Sequence, residues 1–218
     1  GPYRRAKRRL LLFDYDGTLA PIRSRPEEAV PSHRLCELLR TLGTDAANRV
    51  VICSGRDSGT LEKWFGGLPV SLAAEHGAFY KDRGAWRCNI RPASWDPKLS
   101  ALLEHFARKT PRSRIERKQT ALAWHYREAD SWLGQLRAQQ LVNALMPLCA
   151  RLNLHILQGD KVVEIKSPRF TKGSETLRLL RQERYDFILA LGDDTTDDDM
   201  FAALPPRALS IKIGNASE

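Results

Sequence analysis

The sequence predicts an α/β protein whose largely parallel sheet is interrupted by a smaller α+β unit and completed after it. Three observations carry this expectation. Over residues 10–74, short and almost wholly apolar runs alternate with amphipathic helical stretches, and strands separated by helices pair in parallel through right-handed crossovers. The middle of the chain changes to alternating runs joined by tight turns. From residue 174 the order of helix and then apolar run returns.

Taken in order, Leu10-Leu11-Leu12-Phe13 is a buried strand that feeds the turn Asp14-Tyr15-Asp16-Gly17. A helix is expected from Ser32, with Leu35, Leu38, Leu39 and Leu42 at i, i+3, i+4 and i+7 and Gly43 as its stop. Residues 49–53 form the second strand, Asp57 caps a helix carrying Leu61, Trp64 and Phe65, and residues 70–74 form the third strand. Leu99, Leu102, Leu103 and Phe106 mark a helix in the middle unit. Two strands follow at 114–117 and 121–126, the second alternating Leu122, Trp124 and Tyr126 against Ala121, Ala123 and His125. A long helix capped by Asp130 carries Leu141, Leu145, Leu148 and Leu152, and strands 154–158 and 162–166 are joined through Gly159-Asp160. This helix–hairpin–helix–hairpin unit is placed at residues 82–168, between sheet-forming parts at 3–81 and 169–218. The closing part holds a helix over 174–184, a strand over 187–191 that ends in Gly192-Asp193-Asp194, and a last strand over 209–213.

Composition narrows the function classes. The chain has 218 residues, 42% of them hydrophobic, enough for one large domain or one domain with an insertion. The net charge of +9 suggests nucleic acid until it is located: Arg4, Arg5, Lys7, Arg8 and Arg9 sit together in a short leader, and without them 30 basic residues face 26 acidic ones. A second basic cluster within residues 108–127 is read first as a solvated face, with attraction of an anionic ligand as the alternative, and no nucleic-acid partner is expected. No apolar run approaches the roughly 20 residues that a membrane span needs, and the run at 10–13 is too short for a signal peptide. Cys36, Cys53, Cys88 and Cys149 show no metal-ligand spacing and are read as reduced thiols of a cytoplasmic protein.

Four short segments carry chemistry. Asp14-Tyr15-Asp16 leaves the carboxyl end of a buried strand, where open α/β sheets bind ligands. Two carboxylates two residues apart can take different roles, one attacking phosphorus and the other shuttling a proton. Ser54, after the second strand, can hold phosphate oxygens with nearby backbone N–H groups. Lys172 stands at the start of a helix, where a lysine near a phosphate neutralises charge on the transferred group. Asp193, Asp194, Asp197, Asp198 and Asp199 put five acids into seven residues, and a compact arrangement of them needs a cation. Hard carboxylate oxygens without His or Cys suit Mg²⁺.

Acid–x–acid, then Ser, then Lys, then an acidic pair, each beside a strand or helix start, resembles the ordered signature of the haloacid dehalogenase-like phosphatases. The middle unit narrows the resemblance. Residues 110–118 (Thr-Pro-Arg-Ser-Arg-Ile-Glu-Arg-Lys), 122–130 (Leu-Ala-Trp-His-Tyr-Arg-Glu-Ala-Asp) and 159–166 (Gly-Asp-Lys-Val-Val-Glu-Ile-Lys) are similar to trehalose-6-phosphate phosphatases. The wording is closest to phosphatase domains fused behind a trehalose-phosphate synthase domain, so an excised domain with such a partner is expected. Two departures stand out: Arg112 replaces a usual Gly, and the chain stops at Glu218, just after the strand Ile211-Lys212-Ile213-Gly214, where the family continues into a closing helix.

The resemblance implies a Rossmann-like core of haloacid dehalogenase type with an α+β cap, and hydrolysis of trehalose 6-phosphate through an aspartyl-phosphate. Asp14 would attack phosphorus and bind Mg²⁺; Asp16 would protonate the leaving oxygen, activate water and give its backbone carbonyl to the metal. Ser54 and Lys172 would hold the phosphoryl group, and Asp193 would be the other metal ligand, with Asp194 and Asp197 in support. Glu116, Lys118 and Glu164 match cap residues that grip sugar hydroxyls, while Arg56 and His76 lie at the rim. Three alternatives stay open at this point. They are another sugar phosphate, such as sucrose-phosphate or a glucosyl-glycerate type; a phosphorelay receiver, disfavoured by Asp16 and the insertion; and a silent regulatory domain, disfavoured because Asp14, Asp16, Ser54, Lys172 and Asp193 are all present.

Overall fold

A computed structural model of the protein describes residues 1–23, 25–82, 84–88 and 95–214. The chain divides into two compact units, Gly1–Ile90 with Phe170–Glu218, and Arg91–Arg169. Among the described residues no helix is long and apolar enough to cross a membrane.

The first unit is built on β1 (Arg9–Phe13), β2 (Asn48–Cys53), β3 (Ser71–Ala74), β4 (Phe79–Lys81), β5 (Arg87–Cys88), β10 (Phe187–Gly192) and β11 (Leu209–Lys212). Its helices are α1 (Pro2–Arg5), α2 (His33–Thr44), α3 (Ser58–Phe65), α6 (Lys172–Gln182) and α7 (Thr195–Ala202). The strands form one sheet in the order β11-β10-β1-β2-β3-β4-β5. Pairing is parallel from β11 to β3, and antiparallel for the edge strands β4 and β5. Alternation along β1 explains why the run is apolar throughout. Leu11 and Phe13 join Leu39 of α2 and Leu61 and Phe65 of α3, while Leu10 and Leu12 join Leu179 of α6 and Met200 of α7. Chain order runs one way from β1 to β3 and the other way through β10, so the carboxyl ends of β1 and β10 form a topological switch point.

The second unit holds α4 (Pro97–Arg108), β6 (Arg114–Arg117), β7 (Ala121–His125), α5 (Ser131–Leu152), β8 (His155–Gly159) and β9 (Val162–Lys166). Both hairpins enter a single antiparallel sheet in the order β6-β7-β9-β8. One face is apolar: Leu122, Trp124, Val163 and Ile165 pack with Leu99 and Leu103 of α4 and Leu141 and Leu145 of α5. The other face carries Glu116, Ala123, His125, Glu164 and Lys166, because successive strand residues point to opposite sides.

Three local expectations shift. Gly43 does not stop α2, which runs on to Thr44. A Cβ at Gly43 would stand 2.2 Å from the Pro69 carbonyl oxygen, so this glycine serves close packing rather than termination. The second hairpin turns through Asp160 and Lys161, with Gly159 paired to Val162 and Lys161 at φ 60°, one residue later than expected. On α5 the buried stripe passes through Cys149, and Leu152 is exposed.

Candidate active site

Asp14 and Asp16 are aimed by the residue between them. Tyr15 is fully buried against Phe65 at a ring distance of 5.3 Å, and its hydroxyl donates to the Ala29 carbonyl at 2.5 Å. With Tyr15 anchored in the core, the flanking acids leave on the other side of the chain. The turn then demands Gly17: its φ is +89°, and a Cβ there would stand 1.9 Å from Asp193 Oδ2. In the sheet Phe13 is level with Ile52 and Leu191, so Asp14, Ser54 and Asp193 all emerge at one edge.

A buried lysine joins these segments. Lys172, the first residue of α6, places Nζ 2.6 Å from Asp14 Oδ1 and 2.6 Å from Asp197 Oδ1. Thr171 and Ser174 form a capping box that fixes this helix start. Asp197 is fully buried, and its Oδ2 accepts the backbone N–H groups of Asp193 and Asp194 at 3.0 Å each. Asp193 Oδ1 accepts from the Thr18 hydroxyl at 3.2 Å. Asp194 caps α7 by accepting from the Thr195 N–H.

The electrostatics of this cluster are lopsided. Burial pushes the Asp14 carboxyl up from 3.8 to about 7; the Lys172 charge opposes the rise and the Asp197 charge adds to it. Burial also raises Asp193, with repulsion from Asp197 on the same side. The opposing ammonium of Lys172 is held above its usual range because Asp14 and Asp197 outweigh its burial. Carboxylate oxygens of Asp14, Asp193 and Asp197 lie within 4.8 Å of one another. Three ionised acids facing one lysine leave two negative charges, which suits a divalent cation. Asp197 has both oxygens engaged, so Asp14 and Asp193 are the hard-oxygen pair best placed to hold Mg²⁺.

The rim residues have definite partners. Arg56 grips Asp16 through two bonds of 2.7 and 2.5 Å, donates to the Pro26 carbonyl at 2.7 Å, and lies over the Trp64 ring at 4.6 Å. Ser54 is buried, and its Oγ accepts the Arg56 N–H at 3.2 Å. His76 has a left-handed backbone (φ 60°), donates its N–H to the Ser54 carbonyl at 3.0 Å, and packs its ring against Gly55.

In the second unit Glu116 and Glu164 both stand opposite Ala123, on either side of β7. Lys118 Nζ lies 2.7 Å from Glu164 Oε2, and His125 Nε2 lies 2.8 Å from Glu116 Oε2. The three sugar-gripping candidates therefore share one sheet face. Sequence reasoning gave no role to Thr18 and left His125 undecided between cap core and function. The first lies inside the Asp14–Thr18 motif, and the second could be placed only once the sheet register was known.

With this geometry in hand, the comparisons are direct. Residues 12–217 match the family model for trehalose-phosphatase. The chain belongs to the trehalose-phosphatase family. It is 43% identical to the trehalose-phosphatase of Zygosaccharomyces rouxii over 93% of this chain and 25% of that protein. It is 41% identical to the bifunctional trehalose-6-phosphate synthase/phosphatase of Thermoproteus tenax over 97% of this chain and 29% of that one. This trehalose-phosphatase family chain thus spans less than a third of the length of those relatives. The C-terminal domain of the C. albicans trehalose-6-phosphate phosphatase superimposes with a TM-score of 0.88 at 40% identity, covering 93% of this chain and 75% of that one. The likeness establishes the α/β core with an inserted cap of the haloacid dehalogenase type that the motifs imply.

Family membership also bears on Arg112, which occupies a position where the resemblance leads one to expect glycine. Its backbone is left-handed (φ 66°), the conformation that glycine adopts without cost.

Proposed function

We propose that this chain is a Mg²⁺-dependent phosphatase that converts trehalose 6-phosphate to trehalose and phosphate in cytoplasmic trehalose biosynthesis, beside a trehalose-phosphate synthase domain. One observation carries the reading: buried Lys172 bonds to both Asp14 and Asp197, and Asp197 holds the Asp193 and Asp194 N–H groups, which ties the acid–x–acid turn, the lysine and the acidic pair to one centre. Asp14 attacks phosphorus, the phosphorus–sugar oxygen bond breaks, and the phosphoryl group passes to the Asp14 carboxylate. Asp16, whose carboxylate Arg56 holds in the free protein, must leave that pair and take up a proton before it protonates the departing sugar oxygen. It then takes a proton from water, whose oxygen attacks phosphorus and releases Asp14 and inorganic phosphate. Lys172 and Ser54 hold the phosphoryl oxygens, where preorganised donors act most strongly. Asp14, Asp193 and the Asp16 backbone carbonyl would hold Mg²⁺, which would supply further positive charge against those oxygens. Asp194 and Asp197 keep Asp193 in place, and Arg56 and His76 border the Ser54 loop. Glu116, Lys118 and Glu164 accept or donate to sugar hydroxyls.

The test is phosphate release from a panel of disaccharide phosphates, with Mg²⁺ and in excess chelator. Trehalose 6-phosphate should be the preferred substrate, with turnover lost in chelator and restored by Mg²⁺. A preference for sucrose phosphate or a glucosyl-glycerate phosphate would reassign the sugar, and full activity in chelator would remove the metal.

A further inference from the structure

We infer that His125 is a positioning residue for sugar recognition, fixing the Glu116 carboxylate before substrate arrives; the inference rests on the reading of Glu116 as a sugar-binding group. His125 pairs with Arg114 on β6 and Val162 on β9, one side-chain step along β7 from Ala123. It therefore shares the face of Glu116 and Glu164, whereas its neighbours Trp124 and Tyr126 turn into the apolar core and stack at 4.9 Å. Its Nε2 is 2.8 Å from Glu116 Oε2, and an ionised carboxylate only accepts, so the ring presents Nε2–H to it. Burial opposes ionisation of Glu116, but the His125 bond and the Lys118 charge outweigh it and hold the carboxyl below its usual range.

The arrangement repeats across the sheet. Lys118 holds Oε2 of Glu164 as His125 holds Oε2 of Glu116. With Oε2 taken, Oε1 of Glu116 is the oxygen that meets a sugar hydroxyl. A glutamate has several rotatable bonds, and locking them in the free protein removes an ordering cost from binding. Such a residue changes affinity for the sugar and leaves the phosphoryl chemistry to others, so it acts on KM more than on kcat.

The experiment uses the whole chain, with His125→Ala, His125→Gln, Glu116→Ala and the double variant, assayed on trehalose 6-phosphate and p-nitrophenyl phosphate. His125→Ala should raise KM for trehalose 6-phosphate about 3- to 10-fold, the range for ordering one rotamer-rich side chain on binding, and by a smaller factor on p-nitrophenyl phosphate. His125→Gln, whose amide can still donate to Glu116, should recover most of the loss. In the Glu116→Ala background, His125→Ala should add nothing. Melting temperatures of all four variants separate folding from recognition. An unchanged KM, equal losses on both substrates, or a full loss persisting without Glu116 would overturn the inference. If Glu116→Ala raises KM and His125→Ala does not, only His125 loses its role. If Glu116→Ala itself leaves KM unaltered, the sugar-binding reading of Glu116 fails and this inference with it.

Discussion

Asp14 in the first unit and Glu116 in the second are both acids bonded to a basic side chain, yet their surroundings push them in opposite directions. Asp14 is buried among other acids; burial raises it to about 7, and Lys172 offsets only part of the rise. Glu116 is held down, because His125 and Lys118 outweigh its burial. The sheet face of the second unit balances its charges from its own residues. The cluster of the first does not, since Asp14, Asp193 and Asp197 share Lys172. On the proposed reading, the group that forms a bond sits where the chain leaves negative charge for a cation to balance, and the group that accepts hydroxyls is balanced in advance by its own neighbours.

The largest expected effects lie on the unbalanced side. Asp14→Asn keeps the size but loses the nucleophile, and turnover should fall to near background. Asp16→Asn should cost about 10²–10⁴-fold, the usual range for a general acid–base group. Rapid-quench mass spectrometry of the Asp16→Asn protein should then find phosphate on Asp14; label on a serine or histidine would end the aspartyl mechanism. On the balanced side, Glu116→Ala, Lys118→Ala and Glu164→Ala should each lose about 10- to 150-fold in kcat/KM on trehalose 6-phosphate, the worth of a charged hydrogen bond. The losses should be far smaller on p-nitrophenyl phosphate, which offers no sugar hydroxyls. Equal losses on both substrates would mean that the two clusters do not divide chemistry from recognition.

A metal experiment sharpens the same contrast. A carboxyl with a raised folded pKa binds its proton more tightly when folded, so without a cation stability falls as pH rises from about 4 to about 7 and the penalty is complete above that. Mg²⁺ competes with that proton and binds the folded form alone, so it stabilises by mass action. The rise in melting temperature on adding Mg²⁺ should be larger at pH 8 than at pH 5, and Asp14→Asn should reduce it. Equal shifts at both pH values would place the cation elsewhere.

How far each cluster was legible in the sequence follows from how its residues are held. The first was legible because each acid or lysine sits directly after a strand or at a helix start, and such positions follow from local pattern. Asp14 follows β1, Ser54 follows β2, Lys172 opens α6 and Asp193 follows β10. What local pattern did not carry was the centrality of Asp197, whose carboxylate bonds the Asp193 and Asp194 N–H groups and Lys172 at once. The second cluster depended on long-range pairing. Glu116 and Glu164 meet across Ala123 only because the two hairpins join through β7 and β9, and hydrophobic alternation fixes a strand's faces but not its neighbour. Gly43 shows a third kind of limit: its reason is the Pro69 carbonyl, which no window around residue 43 contains.

The smallest expected effect also compares the two units, through two turns with left-handed backbones. Gly17 has φ +89° and no room for a Cβ beside Asp193, so conformation and contact both demand glycine. Arg112 has φ 66° with an exposed side chain, so conformation alone argues for glycine there. A non-glycine residue in this region carries roughly 1–2 kcal/mol of strain. Glycine in its place relieves that strain but frees the unfolded chain by about 0.4–1 kcal/mol. At the midpoints of the two ranges the opposing terms leave Arg112→Gly more stable by about 0.8 kcal/mol. For a chain of this length, 1 kcal/mol is about 2–4 °C in melting temperature, so a rise of about 1–4 °C is expected, with kcat on trehalose 6-phosphate little changed. A fall in melting temperature would show that the Arg112 side chain makes a stabilising contact outweighing its backbone strain.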